Sequence, residues 1–344
     1  MHRYRGALVA ALFLVVVIGL AVAVWPSPSP TGRSGGAHGL TDPAPGSARS
    51  RSTTTTTTQP APQAPFAVED ETETFTDPSR PTPDRGDVPG HPGRTLVTVI
   101  RRPMGLPGPL PRVVFAHGWN SNPGVYETLL DTWAAAGYLV AAPTFPDSAS
   151  TLPGEPISDY PQQALDLSFV ITQLLGGIAG PVNPAKIAVA GHSDGGTDIA
   201  LLALNPMYAD HRIRAYLSLS GEIPAGVAGT WNAATPGALF VAVGTDDEYG
   251  LYPQAQQVFA SADMPKAFVT LDGGDHLQTF IGDTPGGAAM RAETVTFLNT
   301  VFASKSVTSA QMASALEPPT GATTSASAGL TVTVEPATGA TPAA

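Results

Sequence analysis

The chain concentrates its chemical capacity in one short motif and two loops downstream of it. Gly191-His192-Ser193-Asp194-Gly195, followed by Gly196, has G-x-S-x-G spacing. A serine so flanked can stand at a sharp turn between a strand and a helix. Its hydroxyl is then lifted clear, and the helix N-terminus turns N–H groups and a partial positive charge toward it. The plainer alternative is a glycine-rich turn whose serine only caps the helix.

A serine hydroxyl becomes a nucleophile beside a base, and the base needs a carboxylate to hold its ring. Among the seven histidines, His276 is the best placed. It ends Leu271-Asp272-Gly273-Gly274-Asp275-His276, a glycine-rich loop after an apolar run. His192 competes by adjacency, although neighbouring residues on such a turn point different ways. The acid is expected between serine and histidine. Asp247, in Gly244-Thr245-Asp246-Asp247-Glu248, comes first, with Asp246 and Glu222 as alternatives. An oxyanion needs two positioned N–H donors. The backbone of Asp194 would supply one and that of Trp119, in His117-Gly118-Trp119-Asn120, the other. The Trp119 ring could also wall a substrate pocket.

Composition removes several other chemistries. The chain has no cysteine, which excludes a thiol nucleophile, a disulfide framework and a thiolate metal site. The expected chemistry needs neither metal nor organic cofactor. A formal charge of −11 argues against a nucleic-acid partner.

These residues need a scaffold that gathers loops at one edge. Short apolar runs at 95–100, 112–116, 138–142, 186–190, 213–219, 238–243 and 267–271 read as strands. Helical spacing falls at 125–136, 161–175, 197–204, 252–260 and 288–302. The alternation predicts an α/β domain over residues 95–303, a mostly parallel sheet with helices on both faces. In such sheets ligands gather at the carboxyl ends of the strands, where Trp119, Ser193, Asp247 and His276 all fall.

With these elements placed, His117-Gly118-Trp119, Tyr126, Ala136-Gly137-Tyr138, Ala142-Pro143 and the Ser193 motif together resemble the α/β-hydrolase superfamily. They are similar to its dienelactone hydrolase, chlorophyllase and polyester-hydrolase branch. The resemblance implies a serine esterase with the order serine, acid, histidine. The chain departs from the polyester hydrolases in lacking their C-terminal disulfide. The short stretch between the runs ending at Ser220 and starting at Ala238 leaves little or no room for a lid.

Outside the domain the sequence changes character. Residues 1–25 carry a basic start and an apolar run from Gly6 to Trp25, long enough for a transmembrane anchor. A signal peptide cleaved near Ala21-Val22-Ala23 is the alternative. Either would carry the rest of the chain out of the cytoplasm. Residues 26–94, rich in Pro, Thr and Ser, read as a disordered tether with a segment around Phe66, Val68 and Phe75 that could lie along the domain, and 304–344 as a mostly disordered tail with a weak strand signal at Leu330–Val334. The sequence thus points to an extracytoplasmic carboxylic ester hydrolase acting on a small-molecule, lipid or polyester substrate. A cell-envelope acyltransferase with the same triad, or a non-catalytic binding module on the same fold, remain the alternatives. Oligomeric state is not legible.

Overall fold

The computed structural model describes residues 65–232, 235–316 and 329–337. The apolar run Gly6–Trp25 and most of the expected tether lie outside the described residues. Among the described residues no helix is long and apolar enough to cross a membrane.

The described residues form a nine-stranded sheet in the order β1-β2-β4-β3-β5-β6-β7-β8-β9. The strands are β1 (Val68–Asp77), β2 (Arg94–Pro103), β3 (Leu110–Ala116), β4 (Leu139–Thr144), β5 (Val182–His192), β6 (Ala215–Leu219), β7 (Ala238–Gly244), β8 (Lys266–Leu271) and β9 (Leu330–Glu335). From β4 to β8 the neighbours run parallel, while β2 joins β4, β1 joins β2 and β9 joins β8 antiparallel.

The strands are apolar on both faces because both are covered. In β3, Val114 and Ala116 join a core with Leu167 of α2 (Tyr160–Leu175), Ile199 of α3 (Asp194–Leu204) and Val258 of α4 (Tyr252–Ser261). The intervening Val113 and Phe115 face the opposite core. That core takes Trp133 of α1 (Glu127–Ala135), Phe280 of α5 (Gln278–Ile281), Phe297 of α6 (Pro285–Ala303) and Met312 of α7 (Ser309–Leu316). Helix ends follow local chemistry: Thr284 caps α6 by accepting from Gly287 N–H at 3.0 Å, with Pro285 opening the first turn.

Two expectations need correction. Within the stretch read as disordered tether, Val68–Asp77 is a full strand, paired in register with β2 from Val68↔Pro103 to Asp77↔Arg94. Its sequence, VEDETETFTD, buries little besides Phe75 and Asp77, so it lacks the apolar alternation that marks a half-buried strand. Within the stretch read as a disordered tail, α7 buries Met312 and Leu316 and β9 caps the far edge of the sheet. A few apolar contacts and a backbone ladder hold these pieces; the weak strand signal at Leu330–Val334 corresponds to β9, while β1 and α7 carry no comparable signal.

Candidate active site

The turn from β5 to α3 is built as the motif requires. Ser193 sits between them at φ 60° and ψ −122°, in the left-handed half of backbone space, where a side chain is strained. Its N–H donates to Leu219 O at 2.9 Å, and its C=O accepts from Thr197 N–H at 3.0 Å, so backbone bonds on both sides hold the strain. Gly195 is required there: a Cβ on it would lie 2.1 Å from Ala116 O. The hydroxyl-bearing residue is half-buried.

The structure brings His276 and Asp247 together. His276 Nδ1 donates to Asp247 Oδ2 at 2.8 Å, and both residues are buried. Burial pushes the Asp247 carboxyl up, but the hydrogen bond and charge of His276 outweigh it and hold its pKa below the ordinary carboxylate value. Ser220, buried and at φ 48°, turns its hydroxyl toward the same carboxylate and adds to that effect. The His276 N–H donates to Glu248 Oε2 at 2.9 Å, and the Tyr249 ring meets the imidazole edge-on at 4.6 Å between centroids. The alternatives do not reach it: Asp246 is exposed, and neither its carboxylate nor that of Glu222 bonds to His276. Burial and the charge of Asp194 raise the Glu222 pKa.

His192 points inward, away from any role as base. Its Nε2–H donates to the His276 carbonyl at 2.8 Å, which leaves Nδ1 to accept from Tyr126 Oη–H at 3.0 Å. Tyr126 Oη in turn accepts from Gly118 N–H at 3.2 Å. One relay therefore ties the Gly118 loop, the elbow and the His276 loop together. Burial lowers the His192 pKa to about 3, so the ring stays neutral and its tautomer is fixed. His117 is set in the same way. Its Nε2 accepts from Phe145 N–H at 3.0 Å, its Nδ1–H donates to Gly118 O at 2.8 Å, and burial lowers its pKa to about 4.

Trp119 and Asp194 flank the serine. A Cβ placed on Gly118 would lie 3.1 Å from Ser193 Cβ, so the Trp119 loop runs directly beside the serine. Among the described residues neither Trp119 N–H nor Asp194 N–H has a protein acceptor. The Trp119 ring is half exposed, and its Nε1–H donates to Pro156 O at 3.2 Å. The Asp194 carboxylate accepts from Ser158 Oγ at 2.5 Å and Tyr160 Oη at 3.2 Å, and burial raises its pKa. The 145–159 loop thus reaches the site from the side. Its base is tied down by the buried Arg94, which contacts Asp147 Oδ2 at 2.7 Å.

Sequence reasoning placed Ser193, Asp247, His276, Trp119 and Asp194 at one sheet edge. It did not assign the relay through Tyr126 and His192, whose bonded partners are 66 and 84 residues apart in the chain. Nor did it assign Ser220, Glu248 or Tyr249. A signal existed for Tyr249, an aromatic close after the acid, but none for the others.

Residues 88–235 match the family model described as Chlorophyllase. The match takes in Trp119 and Ser193 and ends before Asp247 and His276. No curated protein sequence matches the chain. Among solved structures, a ferulic acid esterase from Streptomyces cinnamoneus superposes with a TM-score of 0.55 at 19% identity, covering 80% of this chain and 98% of that one. Identity so low speaks to the fold alone. Fold, elbow and family match together make this chain similar to the chlorophyllase-like branch of the α/β-hydrolase superfamily, and they support a carboxylic ester hydrolase.

Proposed function

We propose that the chain hydrolyses carboxylic esters through an acyl-enzyme on Ser193. The observation that carries this reading is the 2.8 Å bond between His276 Nδ1 and Asp247, at the sheet edge where Ser193 stands on a strained elbow. That bond leaves Nε2 of His276 as the basic nitrogen. Ser193 Oγ attacks the ester carbonyl and its proton passes to Nε2. The N–H groups of Trp119 and Asp194, which have no protein acceptor, take the developing oxyanion. The tetrahedral intermediate then collapses, the C–O bond to the alcohol breaks, and His276 returns the proton to the leaving oxygen. Water repeats the sequence on the acyl-serine and releases the acid. Asp247, held ionised, orients the ring and stabilises its charged form.

The half-exposed Trp119 and the short 221–237 connection favour hydrolysis over transfer to another alcohol, because they leave water a way to the half-buried serine. Ser193→Ala should reduce turnover of a short p-nitrophenyl ester by about 10³-fold or more, with its circular dichroism unchanged. Turnover close to wild type would end this reading. The basic start and the apolar run Gly6–Trp25 support the reading that the enzyme works outside the cytoplasm. Added protease should therefore degrade the domain in intact cells.

A further inference from the structure

A cavity of about 530 Å³ is lined in part by the 145–159 loop and by none of Trp119, Ser193, Asp247 and His276. Pro146, Leu152 and Pro153 of that loop line it, while Pro156 and Ser158 of the same loop face Trp119 and Asp194. Its opposite wall comes from β2 and from the 82–93 excursion, within the stretch whose composition reads as tether.

The walls have three properties. They are rigid, because Pro83, Pro89, Pro146 and Pro153 each fix φ and carry no N–H. They leave apolar surface open, with Val97 43% and Leu152 37% exposed. They also carry little charge. Among the described residues no carboxylate lines the cavity, its one imidazole is that of His91, and its one guanidinium, Arg85, is only 3% exposed. Arg85 already donates to the carbonyls of Glu155, Pro146, Ala149 and Gly154 at 3.2, 2.9, 3.3 and 3.2 Å. Four of its five N–H groups are therefore occupied by the protein.

We propose that this cavity binds a neutral, largely apolar small molecule, packed between Val97 and Leu152, at a site separate from Ser193. The volume falls within the usual range for small-molecule pockets, roughly 300–1,000 Å³. Proline walls present it preformed, so binding orders few groups. A cation finds no carboxylate there. An anion finds a guanidinium already engaged, in a chain of formal charge −11.

The test titrates the full chain with N-phenyl-1-naphthylamine, a neutral fluorophore that brightens in dry surroundings. Wild type should show saturable binding at one equivalent. Val97→Lys and Leu152→Trp, both at surface-reaching positions, should each weaken it tenfold or more, with circular dichroism unchanged. Trp119→Ala should leave it unchanged, which separates this pocket from the catalytic cleft. The result does not depend on whether Ser193 is a nucleophile. Absence of saturable binding, as from a cavity filled by another part of the chain, would overturn the proposal. So would wild-type affinity in both wall variants, or loss of binding in Trp119→Ala. If one wall variant does not fold, the other decides.

Discussion

Asp247 and His276 define each other's role. The carboxylate fixes the ring by one nitrogen, and the ring keeps the carboxylate ionised although it is buried. Asp247→Asn preserves shape but removes the charge that favours the correct tautomer. It should lower kcat/KM by about 10²–10⁴-fold with little change in KM, as steady-state kinetics would read. Tyr126→Phe removes the hydroxyl that accepts from Gly118 and donates to His192. Loss of these two buried hydrogen bonds is worth roughly 1–3 kcal/mol, so kcat should fall at least about fivefold while KM holds. Ser193, Asp247 and His276 were legible because each follows an apolar run at the same sheet edge, and because the chemistry requires their residue types. Tyr126 and His192 were not, because a relay is a property of three loops meeting, which no local pattern records.

The central strands and the longer helices were legible at the scale of elements, because burial on both sides imposes long apolar runs. Of the outer strands, β1 was not legible and β9 showed only a weak signal at Leu330–Val334. β1 is held chiefly by its ladder to β2, and β9 by its ladder to β8, so neither needs the composition of a core. The 78–93 excursion between β1 and β2 matters most for the site. From it Arg85 reaches four carbonyls of the 145–159 loop, the loop that meets Trp119 and Asp194. Arg85→Met should leave those carbonyls without a partner in a buried place. Thermal unfolding should show a loss of about 2–4 kcal/mol. Activity on bulky esters should fall more than on acetate esters, because the loop forms one side of the cleft.

At the scale of the whole molecule, buried titratable groups pull stability in opposite directions. His117 and His192 are neutral in the fold, with pKa values lowered to about 4 and about 3, whereas in an unfolded chain they titrate near 6.5. Below about 6.5 the unfolded state binds protons the fold refuses, so stability is lost as pH falls through that window. Asp247, with its lowered pKa, acts in the same sense further into acid. Asp159 opposes them. Burial raises its pKa to about 6 against the pull of Arg94, so between about 4 and 6 the fold keeps a proton the unfolded chain releases, and stability falls as pH rises. Burial raises the carboxyls of Asp166, Asp194, Asp198 and Glu222 too, and that of Glu293 to about 7, so all act with Asp159 against the histidines. A single variant isolates one contribution: between pH 7 and pH 5, the urea midpoint of His117→Asn should shift toward higher stability relative to wild type. An equal change in variant and wild type would mean that His117 does not carry this contribution.

The outer rim of the sheet has a consequence for how copies of the molecule meet. Among the described residues β1 leaves one side of its backbone unpaired, and the strand carries the exposed Glu69, Asp70 and Glu71 and the partly exposed Glu73, the first three in contact with Arg101 or Arg102. Two such rims brought together to extend the sheet would set carboxylate against carboxylate along the seam. This strand therefore acts as a selvedge. Its charges oppose the knitting of neighbouring sheets into one.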